Sequence, residues 1–76
     1  MTLVVKYKNM FIDTSNLRAG MIAPIIDEDN KDNTKYRVYM YFKNIEQPFY
    51  IEFDDIETAE RFERLITSEM SCIDFI

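Results

Sequence analysis

Tyr36-Arg37-Val38-Tyr39-Met40-Tyr41-Phe42-Lys43 and, five residues on, Phe49-Tyr50-Ile51-Glu52-Phe53-Asp54 are the two runs that decide the fold. In the first, Tyr36, Val38, Met40 and Phe42 alternate with Arg37, Tyr39, Tyr41 and Lys43. In the second, Phe49, Ile51 and Phe53 alternate with Tyr50, Glu52 and Asp54. Side chains of a strand point to opposite faces at successive positions, so this period of two predicts two strands with one strongly apolar face each. Asn44 and Pro48 lie between them and favour a turn, which makes the pair an antiparallel hairpin.

Directly after the second strand comes Asp54-Asp55-Ile56-Glu57. A carboxylate before an apolar run with a glutamate three residues later has the form of a capping box, with Asp54 accepting from the first free amides and Glu57 reaching back. Ile56, Ala59, Phe62, Leu65, Ile66 and Met70 then recur at helical spacing, opposite Glu57, Glu60, Arg61, Glu63 and Arg64. An amphipathic helix over about Asp55 to Met70 is expected.

Upstream of the hairpin, Asp27 to Lys35 contains no apolar residue and reads as a solvated loop. Met21 to Ile26 is apolar but contains Pro24, which cannot donate to a ladder, so an edge strand or an irregular extended segment is expected. Asp13-Thr14-Ser15-Asn16 are turn formers, followed by a loop or short helical turn as far as Gly20. Thr2 to Tyr7 is a β-branched, aromatic strand that either continues through Phe11 or turns near Lys8-Asn9 and restarts at Met10. The sum is one α+β domain over residues 1 to 76: a small antiparallel sheet of three to four strands, with one C-terminal amphipathic helix packed on one face.

That arrangement has a consequence for the surface. If the helix covers the face carrying Val38, Met40, Phe42, Phe49, Ile51 and Phe53, then Tyr39, Tyr41 and Tyr50 lie together on the other face. Tyrosine buries a large rigid area while its hydroxyl finds a partner, which suits an interface. The alternatives are solvated cross-strand pairs or a face covered by the N-terminal segment. On the helix, Glu57, Glu60 and Glu63 form a second candidate surface, one that would meet a basic partner.

Composition narrows the function classes. The 76 residues hold a single cysteine, Cys72, and no histidine. An internal disulfide and a Cys/His zinc site are therefore impossible, and the usual base for a nucleophilic thiol is missing. With Gly20 as the only glycine, no glycine-rich phosphate loop can form. Asp27, Asp29 and Asn33 have some of the spacing of a calcium loop, but Lys31 falls at a ligand position, and the turn glycine and distal glutamate are missing. No enzyme, cofactor or metal is expected.

The net charge is −5, and it is unevenly placed. Residues 44–76 hold nine acidic side chains against two basic ones, whereas residues 1–43 hold five against seven. A protein of this balance is a poor direct ligand for nucleic acid, because such affinity rests on neutralising phosphates with Lys and Arg. An acidic surface imitating nucleic acid is a third option. No apolar run nears the roughly 20 residues of a membrane span, and the N-terminus does not read as a signal peptide, so the expected place is the cytoplasm.

So small a chain buries only about 60 to 65% of its unfolded surface, and natural chains of this size often gain stability from a partner. Residues with AT-rich codons (Phe, Tyr, Met, Ile, Asn, Lys) number 36 against 10 with GC-rich codons (Gly, Ala, Arg, Pro), which suggests an AT-rich genome such as that of a tailed phage. The expected function is a non-enzymatic protein-interaction module, such as a phage accessory protein that binds and modulates a host protein. A small self-assembling homodimer is the alternative.

Overall fold

The structure, a computed structural model, describes residues 4–68. It contains two antiparallel sheets and one C-terminal helix, an α+β fold. The chain begins with a hairpin of β1 (Val4–Tyr7) and β2 (Met10–Asp13), closed by a two-residue turn at Lys8-Asn9. This settles the choice left open by the sequence in favour of a restart at Met10. Lys8 takes a left-handed φ of 54°, the conformation that a tight hairpin turn demands and that a side chain resists. The register pairs Val5 with Ile12, the two residues by which this hairpin joins the core.

Asp13 then caps a single 3-10 turn over Thr14–Asn16, its carboxylate accepting from the Ser15 amide and hydroxyl at 2.9 and 2.7 Å. Those two bonds favour the charged form and hold the Asp13 carboxyl below its ordinary pKa. Strand β3 (Leu17–Ile25) starts at once, earlier than expected, because β4 offers a pairing edge along its whole length, from Leu17 opposite Phe42 to Ile25 opposite Lys35. Arg18 is accommodated by a register shift between Leu17 and Ala19. β3 pairs on one side only, so Pro24 sits on a sheet edge, where its missing donor is tolerated.

Residues 26–34 form the loop, tied by Asp27 accepting from the Asp29 amide at 3.0 Å and by Asn30 capping a second 3-10 turn over Lys31–Asn33. Lys35 already belongs to the next strand. β4 (Lys35–Phe42) and β5 (Phe49–Phe53) make the expected hairpin, with Val38 opposite Ile51, Tyr39 opposite Tyr50 and Met40 opposite Phe49. Asn44 supplies the left-handed residue of their turn, at φ 65°. The sheet order is β3-β4-β5, with β4 in the centre. Being central, β4 places Val38 and Met40 deepest, each 1% exposed.

Helix α1 (Ile56–Ile66) packs on one face of this sheet. Its N-cap corrects the expectation: Asp55, and not Asp54, accepts from the Thr58 amide at 2.9 Å, and the Thr58 hydroxyl donates to the same carboxylate at 2.8 Å. The physical reason is that Asp54 continues the alternation of β5 and meets Lys35 across the strand pair at 2.6 Å. The helix closes at Thr67, whose amide donates to the Glu63 carbonyl. Met70, the expected end of the helix, and Cys72 lie outside the described residues.

The buried helical stripe is also narrower than the periodicity implied. Ala59, Phe62 and Ile66 are buried, while Ile56 and Leu65 remain exposed at its margins. Phe62 packs edge-on to Tyr7 and tilted against Phe53, and Tyr7 packs edge-on to Phe53, with ring centroids 5.3 to 6.1 Å apart. Through these rings the β1–β2 hairpin is fixed beside the helix, on the same side of the three-stranded sheet.

Candidate functional site

With helix and hairpin both on one side, no described element covers the other side of the β3-β4-β5 sheet. Alternation puts Lys35, Arg37, Tyr39 and Tyr41 of β4 on that outer face, with Tyr50 and Glu52 of β5 and Ala19, Met21 and Ala23 of β3. Met21 is 51% exposed, Tyr50 49% and Tyr41 39%. The three tyrosines singled out from the sequence are thus brought to one surface, and the N-terminal segment over residues 4–13 does not shield them.

The centre of this face is a connected group. Tyr39 and Tyr50 oppose each other in register, their rings tilted at 49° with centroids 5.4 Å apart. Arg37 lies over Tyr50, its guanidinium carbon 4.4 Å from the ring centroid. It donates from Nη1 to the Tyr39 hydroxyl at 3.2 Å and from Nε to Glu52 Oε2 at 3.0 Å. The bond to Tyr39 and then the bond to Glu52 hold the guanidinium well above its ordinary pKa. A planar cation so held is ordered before any partner arrives, which lowers the entropy lost on association. Beyond Arg37, Lys35 is likewise raised by its hydrogen bond to Asp54 and by that carboxylate's charge.

Glu57, Glu60 and Glu63 are placed elsewhere, on the helix and so on the far side of the sheet. Glu60 and Glu63, with Arg64, wall a groove of about 530 Å³ floored by Ile22, Pro24, Tyr36 and Ile56, between α1 and β3. Glu57 is exposed and does not line it. A third feature, missed from the sequence, is an apolar groove of about 290 Å³ where Met10 and Phe11 of β2 approach Phe42, Ile45 and Phe49. Phe11 is 73% exposed and Phe49 54%. Phe42 and Phe49 pack edge-on at this end of the sheet, ring centroids 5.9 Å apart.

The outer face carries tyrosines, a guanidinium and carboxylates, with neither histidine nor cysteine among them. Among the described residues no three His, Cys, Asp or Glu side chains converge as a metal site would require. Among the same residues no helix is long and apolar enough to cross a membrane. No protein-family model, curated protein or solved structure matches this chain.

Arg37 and Glu52 were not singled out from the sequence, although the signal was present. Both fall on the tyrosine parity of their strands. What was missing was the register that sets them opposite each other.

Proposed function

We propose that this chain is a non-enzymatic protein-interaction module that docks on another protein through the outer face of its three-stranded sheet. The observation that carries this reading is the Arg37-Tyr39-Tyr50-Glu52 group, held together on a face that no described element covers. Tyrosine and arginine are the residue types that most often dominate binding energy at interfaces, and they do so when they are pre-ordered and central. A small chain from an AT-rich genome, such as a phage accessory protein that binds and modulates a host protein, fits this mode of action. Its acidic helix flank, with Glu57, Glu60 and Glu63, offers complementary charge to a basic partner.

The test is a photoreactive amino acid placed at Tyr41 and, in parallel, at Glu57, in cells that express the full chain. A single adduct of fixed mass from position 41, lost when Tyr39 and Tyr50 are changed to serine, is the expected result. No adduct from position 41, or one that is indifferent to the tyrosines, would remove the outer face as a docking surface.

A further inference from the structure

The charges of the outer face point to the chemistry of what docks there, an inference that rests on the docking role proposed for the same surface. The chain as a whole carries −5, yet this face is basic. Four cations, Arg18, Lys35, Arg37 and Lys43, stand on it or at its edge, against the two carboxylates of Glu52 and Asp54. Lys35 pairs with Asp54 and Arg37 with Glu52, so one end of the face is closed on itself. Among the described residues, Arg18 and Lys43 are in no ion pair.

Both of these cations are gathered around Tyr41. Leu17 pairs with Phe42 and Ala19 with Tyr41, so Arg18 is the extra residue of a bulge, and Arg18 and Ala19 together oppose Tyr41 alone. Lys43 comes two residues after Tyr41, and its amide donates to the Asn16 carbonyl at 2.9 Å, which prolongs the pairing of β3 with β4 by one step. Alternation carries Lys43 to the same face as Tyr41, about 7 Å further along the strand. Arg18, Tyr41 and Lys43 are all exposed.

Acidic groups stand apart from this end. Those of the loop over residues 26–34 lie at the opposite end of β3 and β4, and Glu57, Glu60 and Glu63 lie on the helix, across the sheet. Asp13 is bonded to Ser15 and lines the apolar groove beside Phe42. Glu46, in the turn after Lys43, is the one acidic residue close by, and two cations outweigh it.

Unpaired cations beside exposed rings attract carboxylates or phosphates. Nucleic acid is held by neutralising many phosphates, so two cations contribute little to it, and a net charge of −5 repels a uniformly charged strand. A short acidic segment of a protein needs no more than two. We propose that the partner presents an acidic segment to the outer face, with its carboxylates on Arg18 and Lys43 and its apolar atoms over Tyr41, Tyr39 and Tyr50. The helix flank is of the opposite sign, so a basic region of the partner lies against the helix and the acidic segment against the sheet.

The test is photocrosslinking from an aromatic photoreactive residue at position 41 in cells that express the full chain, repeated with charge variants. These are Arg18→Glu/Lys43→Glu, Arg18→Lys/Lys43→Arg, and Lys6→Glu/Lys8→Glu in the β1–β2 hairpin, each checked for folding by circular dichroism. Reversal at Arg18 and Lys43 should cut the adduct yield at least about tenfold. The charge-keeping exchange should retain the adduct, as should reversal at Lys6 and Lys8, which changes the net charge equally but away from the face. The segment joined to position 41, sequenced by mass spectrometry, should hold more Asp and Glu than Lys and Arg.

A basic segment or a nucleic acid at position 41 would overturn the proposal, as would an equal loss of adduct in the Lys6/Lys8 variant. If the adduct forms and is indifferent to the charges of Arg18 and Lys43, the docking role stands and only the acidic partner has failed. If the wild type gives no adduct, both have failed.

Discussion

Tyr39 and Tyr50 face each other across β4 and β5, ring centroids 5.4 Å apart, and Tyr50 also carries the Arg37 guanidinium on its face. An aromatic pair is worth about 0.5–1.5 kcal/mol beyond its buried area, and an exposed cation over a ring adds about 0.5–1 kcal/mol. Tyr50→Leu keeps the bulk and loses both. It should lower the folding stability of the isolated chain by about 1 kcal/mol in urea titration while leaving the helical signal intact.

The core responds on a different scale. Met40 is 1% exposed at the centre of the sheet, under the helix. Met40→Ala is expected to cost about 2–4 kcal/mol, which equals or exceeds the few kcal/mol that a domain of this size has available. Phe11→Ala, at a side chain 73% exposed, should change stability by no more than about 0.5 kcal/mol. Urea midpoints of the two variants measured together check the placement of core and surface.

Asp55 links the helix to pH. The Thr58 amide, and then the Thr58 hydroxyl, hold its carboxyl below the ordinary aspartate value in the folded chain. The unfolded chain therefore takes up the proton first as pH falls. The contribution is fully present above the unfolded pKa of about 3.9 and is lost as pH falls through the folded value. Thermal unfolding followed by circular dichroism from about pH 5 to about pH 2 should show declining stability in the wild type and a shallower decline in Asp55→Asn.

Lys8 holds a left-handed φ of 54° in the β1–β2 turn, where a side chain is a burden. Lys8→Gly removes that strain, at the expense of a more flexible unfolded chain. The net gain from a two-residue turn at Lys8-Asn9 should be about 0.5–1 kcal/mol. A loss of stability in urea titration would mean that the hairpin turns elsewhere.

The β4–β5 hairpin was legible in the sequence because its signal is local: two runs of clean alternation fix which side chains share a face. The same parity is enough to put Tyr39, Tyr41 and Tyr50 together. Leu17 to Gly20 was not legible as a strand, because Leu-Arg-Ala-Gly has no alternation, and it is the unfilled edge of β4 that draws it into the sheet. The helix cap was misplaced by one residue for a related reason. Asp54 and Asp55 are equivalent locally, and only Lys35, distant in sequence, takes Asp54 out of the competition. Arg37 and Glu52 needed the register, and the groove walled by Glu60 and Glu63 needed the rotation of the helix about its own axis. Both are set by long-range packing.

The most direct measurement is photocrosslinking from position 41, beside position 57, in cells that express the chain. Docking through the outer face predicts an adduct of fixed mass with a second protein from position 41, lost when Tyr39 and Tyr50 are changed to serine. Adducts that arise from position 57 alone, with none from position 41, would contradict it.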